Sequence, residues 1–269
     1  MTFARLVVRV DRGRYCAGSP KYGTGTAVER AVRALSFVVV IWLAVSATSP
    51  ALAQNRNPPS FEGERPGVDF AGVIANSMNL LVLEHAGRIA FQSKTREELG
   101  GPFWLDYHRS VKMPDQWGDT DAWWVNYIGH PIHGAAAGYI WIDHDPHAPA
   151  DITFTRSYWS SRAKATAWAA GFSLQFEIGP ISEASIGNVG MRSETVGWVD
   201  HVVTPLGAFG LIVAEDALDR YLVKWMEERT DNRVARTTFR ILFNPARALS
   251  NTVSGRMPWH RAGRALNWR

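Results

Sequence analysis

Residues 121–139, which read DAWWVNYIGHPIHGAAAGY, constrain the fold more than any other part of the chain. Pro131 has no backbone N–H, so a helix through this stretch must kink or restart there, with His130 at the break. His130 and His133 are three residues apart and share one helical face. Gly134 and Gly138 flank three alanines, which allows another helix backbone to approach closely. The stretch therefore predicts a helix that brings two histidines into a tightly packed region.

A second proline follows a similar group of polar residues. Asp200, His201 and Thr204 come just before Pro205, and an almost wholly apolar run follows. Helices are also expected over residues 69–99, with Asp69 as the N-cap, and over residues 155–179, 195–229 and 237–249. We expect an all-α bundle of five or six helices, kinked near Pro131 and Pro205. A soluble or membrane-apposed bundle is expected, with an integral bundle as the alternative.

The amino terminus has the pattern of an export signal. Arg30 and Arg33 precede an apolar run over residues 35–45, and Ala51-Leu52-Ala53 forms a cleavage site. The run is too short to span a bilayer, although an uncleaved anchor is the alternative. We expect a signal peptide at residues 1–53, a proline-rich linker at 54–68, one helical domain at 69–250 and a flexible basic tail at 251–269. The expected location is the periplasm or the bacterial envelope.

Charge and cysteine content exclude two classes of function. Removing the seven basic and two acidic residues of the leader from totals of 29 and 25 leaves 22 basic and 23 acidic residues. The mature chain is thus nearly neutral, which argues against nucleic-acid binding. The single cysteine, Cys16, lies in the leader, so no disulfide or thiol chemistry is expected in the mature protein.

The segment Asn126-Tyr127-Ile128-Gly129-His130-Pro131-Ile132-His133-Gly134 resembles a family of exported bacterial proteins of unknown function that carry an Asn-Tyr-x-Gly-His-Pro-x-x-Gly motif. Acidic residues, an Asp, a Thr-Pro-x-x-Gly segment and a Glu follow in that family. The corresponding residues here are Glu177, Glu183, Asp200, Thr204-Pro205-Leu206-Gly207 and Glu215, with the glycine one place early. The order is also distantly similar to that of VanZ-type membrane proteins. The resemblance implies an envelope location and no established reaction.

Buried ionisable groups are costly unless they are paired, so the polar residues of the apolar helices are expected to meet. His130, Glu177 and Asp200 are the candidate catalytic residues. The other candidates for a shared polar network are Asn126, His133, Glu183, Thr204 and Glu215. His130 and His133 are weak candidates for metal ligands, because a His-x-x-His pair alone is not specific. Glu84 is expected on the solvent face, and residues 143–151 are expected to form a surface loop.

Two functions follow from these residues. The favoured one is a non-enzymatic envelope protein whose His/Asp/Glu network fixes the helix register. Its partner would be a membrane surface or an envelope protein, with no nucleic acid and an unassigned oligomeric state. The alternative is a hydrolase, metal-dependent or histidine-based, acting on an envelope lipid or phosphoester. The first function requires no cofactor. The metal-dependent form of the second function requires a divalent metal ion.

Overall fold

The computed structural model describes residues 67–99, 102–111, 114–149, 152–186, 189–191, 195–264 and 266. In this part of the chain the protein is all-α, as predicted, and the extended pairing is limited to one isolated bridge between Gln116 and Gly197. The expected signal peptide and all of the linker except residues 67 and 68 lie outside the described residues.

Within the described residues, four long helices build the bundle: α1 (Phe70–Phe91), α4 (His130–His144), α5 (Arg156–Ile178) and α6 (Val199–Leu218). The same part of the chain contains five shorter helices: α2 (Ser93–Glu98), α3 (Phe103–Ser110), α7 (Lys224–Glu227), α8 (Arg233–Leu242) and α9 (Pro245–Val253). π-helical turns at Val125–Gly129 and Asp219–Val223 lead into α4 and α7. The stretch Val199–Glu227 is long and apolar enough to cross a membrane by length and composition, and 28% of its most apolar window is buried.

Capping and proline positions explain most helix ends. The Asp69 carboxylate accepts a hydrogen bond from Gly72 N at 3.0 Å, which confirms the predicted N-cap. The expected helix over residues 69–99 is divided, because Gln92 is extended and separates α1 from α2. Pro131 occupies the first turn of α4, directly after the π-helical turn, so the helix restarts where expected. Pro205 lies inside α6, which continues past it.

Contacts around α4 fix the direction of each neighbour. Along α6, Thr204 faces Gly134, and Ile212 faces Gly138, so α4 and α6 run parallel. A β-carbon at Gly134 would lie 2.8 Å from Thr204 Cγ2 and 2.9 Å from the Thr204 carbonyl oxygen. The two glycines therefore permit the close helix contact that their spacing predicted. α1 and α5 run antiparallel to α4, because their carboxyl-terminal turns meet its first turn.

These directions give the bundle two ends. At the histidine end, α4 and α6 begin and α1 and α5 finish. At the arginine end, α6 finishes and α5 begins. Between them, one apolar cluster joins α1, α4 and α5, and a second joins α4, α5 and α6.

The carboxyl-terminal segment differs from the expected flexible tail. Asn251 and Arg261 are buried, and Arg261 Nε donates to Asp219 Oδ1 at 3.0 Å. Asn251 Nδ2 donates to Pro258 O at 3.0 Å, which holds the turn after α9. The basic side chains of Arg261 and Arg264, which suggested a solvated tail, instead pair with Asp219 and Glu227. Residues 251–261 therefore belong to the packed domain.

Candidate functional site

Three of the predicted site residues meet at the histidine end. His130 begins α4, Glu177 lies in the last turn of α5, and Asp200 lies in the first turn of α6. One ligand atom from each lies within 4.8 Å of those of the other two. His130 Nε2 is 3.3 Å from Asp200 Oδ1. All three residues are buried, with 4–6% of their surface exposed. We call this group the acidic centre.

Thr204 sets the orientation of His130. The Thr204 hydroxyl lies 3.3 Å from His130 Nδ1, while Nε2 faces Asp200. When Nδ1 carries the proton, the Thr204 hydroxyl oxygen accepts a hydrogen bond from Nδ1–H, and Nε2 presents its lone pair to the carboxyl groups. Burial lowers the pKa of His130 to about 3, and the neighbouring His133 and Arg88 add to the effect. The imidazole is therefore neutral at physiological pH, which is the form that binds a metal or accepts a proton.

The two carboxyl groups of the centre have too few hydrogen-bond donors. Among the described residues, none donates to Glu177 Oε1 or Asp200 Oδ1, although both atoms are buried. Burial raises the pKa of Glu177, and the positive charge of Arg88 only partly opposes this. Burial raises the pKa of Asp200 too, and the negative charge of Glu177 and a hydrogen bond with Asp119 raise it further. Without a cation, Asp200 therefore holds a proton at neutral pH.

Sequence reasoning missed Asp119, which lies in the turn before the π-helical segment. Asp119 Oδ1 accepts from Asn126 Nδ2 at 2.8 Å and from Asp121 N at 3.1 Å. Burial alone would raise the pKa of Asp119, but hydrogen bonds from the Asp200 carboxyl and from Asn126 lower it overall. Asp200 thus carries the proton and donates it in a hydrogen bond to the ionised Asp119. Thr120, with a φ of 74°, is a positive-φ residue at this turn. The sequence held no signal for this role beyond a polar turn close to the central stretch.

A histidine–carboxylate pair stands beside the centre. His133 Nδ1 lies 2.8 Å from Glu84 Oε1, and His133 Nε2 is buried without a hydrogen-bond partner among the described residues. The ring centroids of His130 and His133 are 5.9 Å apart. The expectation that Glu84 faces solvent is wrong, because its side chain is only 17% exposed and turns inward to His133. His133 belongs to this pair, and the group that could hold an ion contains Glu177 and Asp200 instead.

Arg88 supplies the positive charge nearest to the centre. It pairs with Glu183, which places that predicted network residue beside the site. Arg88 also stands 5.6 Å from the ring of Phe176, one residue from Glu177. His85, also on α1, stacks its ring on that of Phe176 with the centroids 4.9 Å apart, and burial lowers the pKa of His85 to about 4. The sequence signal for Arg88 and His85 is that, together with Glu84, they are ionisable residues on an otherwise apolar helix.

Glu215 does not belong to the site, contrary to the prediction. It lies 15 residues beyond Asp200 on α6, about 22 Å along the axis at the usual rise per residue. Its carboxylate accepts from Ala246 N at 2.8 Å and from Arg247 N at 3.1 Å, so it caps the first turn of α9. The shared-network expectation failed here because a helix N-terminus offered a nearer set of donors.

The loop histidines lie at the arginine end of α4, away from the centre. His144 Nε2 lies 2.8 Å from Asn76 Nδ2, and His147 is half exposed beside Asp145. The loop begins at Asp145 instead of residue 143, because α4 extends through His144. Among its described residues Asp145 is buried, with Oδ1 accepting from His147 N at 2.9 Å, and residues 146–149 are exposed or half-buried, as predicted for a surface loop.

The acidic centre is chemically suited to a divalent cation. One imidazole nitrogen and two carboxylate oxygens are a donor set found in hydrolytic metal sites. Tetrahedral coordination at ordinary bond lengths separates ligand atoms by about 3.4 Å. His130 Nε2 and Asp200 Oδ1 already have this spacing at 3.3 Å, and the Glu177 oxygen lies within 4.8 Å of both. Thr204 on His130, and Asp119 on Asp200, would orient two of the ligands from behind. The described residues could therefore hold one metal ion.

Comparisons with known proteins leave the chain without an assigned relative. No protein-family model matches it, and no curated protein or solved structure matches it significantly. The resemblance to exported proteins with the Asn-Tyr-x-Gly-His-Pro-x-x-Gly motif, and the distant one to VanZ-type proteins, stay predictions.

Proposed function

We propose that this chain is an exported envelope protein that binds a divalent metal ion at the acidic centre and uses it to hydrolyse an ester or phosphoester. The observation that supports this most is the surplus of buried acceptors. Glu177 Oε1 and Asp200 Oδ1 lack donors among the described residues, and one oxygen of each carboxyl group lies within 4.8 Å of a His130 ring nitrogen. Buried carboxylates are stabilised by a cation when hydrogen bonds are missing.

The residues divide into ligands and a proton acceptor. His130, Glu177 and Asp200 would be the ligands, and a bound metal ion would lower the pKa of a coordinated water. His133 would accept the proton of that water at Nε2, because Glu84 holds its Nδ1. Arg88, close to Glu177, would stabilise negative charge on the reacting group. This assigns the hydrolytic step to residues of α1, α4, α5 and α6 together.

A structural role is the second candidate, and the burial of all three residues favours it. In that case His130, Glu177 and Asp200 would fix the register of α4, α5 and α6 without an ion. In a structural network of this kind every buried polar atom is expected to have a hydrogen-bond partner. Glu177 Oε1 and Asp200 Oδ1 have none among the described residues. The envelope location rests on the pattern of the presequence in both cases.

Metal analysis of the purified full chain tests the proposal. The protein would be stripped with a chelator and titrated with Zn²⁺ or Mn²⁺ by calorimetry. One tight site is expected in the wild type, weakened by at least about 100-fold in His130→Ala and Glu177→Gln. His147→Ala is the matched control, because this half-exposed histidine lies outside the centre.

Hydrolysis of a chromogenic phosphodiester and a chromogenic ester would follow with the loaded protein. Activity that disappears in His133→Gln while the metal stays bound would support the assigned proton acceptor. A wild type that takes up no metal, or equal uptake by His130→Ala, would contradict the proposal and leave the structural role.

A further inference from the structure

The histidine end carries an unusual number of exposed aromatic side chains. Trp104, Trp123 and Trp124 are 72%, 67% and 64% exposed. Further large apolar side chains exposed in the same segments are Phe103, Leu105, Trp117, Tyr127, Ile128 and Trp198. A soluble protein surface seldom presents so many tryptophans together.

Contacts place these side chains in one neighbourhood. Trp117 Nε1 donates to Tyr127 OH at 2.9 Å, and the rings of Trp123 and Tyr127 stack at 5.5 Å. Trp198 N donates to Gln116 O, which joins the start of α6 to the same turn. Tyr107 OH donates to Ile178 O, which attaches α3 to the last turn of α5. We call this surface, formed by α3, residues 114–128 and Trp198, the aromatic cap.

The aromatic cap directly adjoins the acidic centre. Trp198 is two residues from Asp200, and Ile128 is two residues from His130. Trp117 is likewise two residues from Asp119, which hydrogen-bonds to Asp200. The same short segments thus turn one side chain outward and a neighbouring one into the centre.

Apolar exposure continues from the cap along two separate helices. On α6, Leu206 is strongly exposed, and on α1 both Leu83 and Phe91 are exposed. The ionisable residues in this part of α1 instead turn towards the centre, as Glu84 and His85 do. A protein partner would cover one side of the cap, whereas a bilayer receives apolar side chains on several sides of an inserted end.

We infer that the aromatic cap docks on a phospholipid membrane and presents the acidic centre to lipid head groups. Indole rings favour the boundary between head groups and acyl chains, because they combine an apolar body with one N–H donor. The docking itself is independent of the metal. The substrate would be an ester or phosphoester of a membrane lipid, and this assignment rests on the proposed function.

The arginine end supplies a matched control surface. Trp225 is 48% exposed there, but the guanidinium of Arg229 covers its ring at 3.9 Å. Lys224 and Glu228 are exposed on either side of it. A tryptophan held among charged side chains has no reason to enter a membrane, so Trp225→Ser should leave docking unchanged.

Vesicle binding by the full chain without its leader tests the inference. Vesicles of phosphatidylethanolamine and phosphatidylglycerol, in about a 3:1 ratio, would be sedimented with the protein at low and at high salt. Binding is expected at both, because insertion of aromatic rings depends little on charge. The double variant Trp123→Ser/Trp124→Ser should lose at least about tenfold in partitioning, and Trp225→Ser less than about twofold. Circular dichroism verifies that both variants are folded.

The inference is overturned if the wild type does not bind vesicles, if the double variant binds equally well, or if Trp225→Ser alone abolishes binding. It is also overturned if the protein stays in membranes after alkaline carbonate extraction, because that result would show a spanning protein. Metal titration of the same variants separates this inference from the proposed function. Vesicle binding without metal uptake contradicts only the proposed function, and metal uptake without vesicle binding contradicts only the docking.

Discussion

Helix α6 carries two buried aspartates in opposite situations. Asp216, at the arginine end, accepts from Tyr158 OH at 2.9 Å and from Arg162 at 2.7 and 2.9 Å. Tyr139 OH and Arg247 complete its shell. Asp200, about 24 Å away along the same helix, has a buried oxygen without a donor among the described residues, and the acidic neighbours Glu177, Asp119 and Asp121 raise its pKa. At the arginine end the buried aspartates are paired with arginines, whereas at the histidine end Arg88 pairs with Glu183, and Glu177 and Asp200 each keep one oxygen without a donor among the described residues.

The difference separates a structural ion-pair network from a candidate binding site. Arg162, Arg261 and Arg264 belong to the arginine end, where they pair with Asp216 and Asp219. Removing a partner there leaves a buried charge without compensation. At the histidine end the pKa values of Glu177 and Asp200 are raised, so these two groups bind protons, which a metal ion can replace. Burial alone therefore does not distinguish the two ends, whereas the pairing of their carboxylates does.

The largest effect is expected from Asp216→Asn. This change leaves Arg162 and Arg247 buried opposite a neutral amide, so the free energy of unfolding should fall by about 3–5 kcal/mol. Denaturant unfolding of the metal-free protein measures it. Asp231→Asn is the control and should unfold like the wild type, because the Asp231 carboxylate is fully exposed in its pair with the partly buried Arg236. A small effect at Asp216 would show that the arginine end is not the structural half of the comparison.

Gly134→Ala would disturb the contact that holds both ends in register. The added methyl group would meet Thr204 Cγ2 at 2.8 Å and the Thr204 carbonyl at 2.9 Å, and a backbone atom cannot move aside cheaply. We expect a loss of about 1–3 kcal/mol in the free energy of unfolding. Gly210→Ala on α6 is the control, since nothing lies within 4 Å of its added methyl group. Equal behaviour of the two variants would contradict the close packing of α4 on α6.

The pH dependence of stability should distinguish the metal-free and metal-loaded proteins. The pKa values of Glu177 and Asp200 are raised in the folded protein, so the folded state binds protons that the unfolded state has released. Stability from these groups is present below the unfolded carboxyl pKa and is lost as pH rises towards the folded values. Thermal unfolding of the metal-free protein should therefore show a falling melting temperature from about pH 5 to pH 8.

Metal should reverse this trend, because its affinity grows as the carboxyl groups lose their protons. The stabilisation by Zn²⁺ or Mn²⁺ is expected to be larger at pH 8 than at pH 5.5, as shown by the shift in melting temperature. His130 works in the opposite sense. Its pKa of about 3 lies below the unfolded value, so its contribution rises with pH up to about 6.5 and is complete above that. A pH-independent metal effect would mean that the ion binds elsewhere.

Much of the fold followed from the sequence, because helix signals are local. The N-cap at Asp69, the restart before Pro131 and the glycine face of α4 depend on residues within one or two turns. His130, Glu177 and Asp200 could be grouped because a buried charge in an apolar helix must find a partner. That reasoning gives no direction in space. It placed Glu215 with the centre, although Glu215 lies about four helical turns from Asp200, where backbone N–H groups of α9 donate to it.

The missed residues show the same limit from the other side. Glu84 looked solvent-exposed because carboxylates usually are, and only the antiparallel packing of α1 on α4 turns it to His133. Asp119 lies in a turn whose path depends on the bridge between Gln116 and Gly197. The basic tail looked loose because its partners, Asp219 and Glu227, are distant in sequence. Long-range pairing decides these positions, and no local pattern records it.

The smallest effect, and the sharpest contrast with Asp216→Asn, is expected from Asp200→Asn. In the metal-free protein Asp200 is already protonated, because burial and the charge of Glu177 raise its pKa. An amide of nearly the same shape can still donate to Asp119, so the free energy of unfolding should change by less than about 1 kcal/mol. Denaturant unfolding in chelator, beside Asp216→Asn, measures the contrast. The same variant should lose the stabilisation by Zn²⁺, since the amide carries no charge for the ion. A loss above about 3 kcal/mol without metal would instead make Asp200 a structural residue like Asp216, and the two ends of α6 would no longer differ in kind.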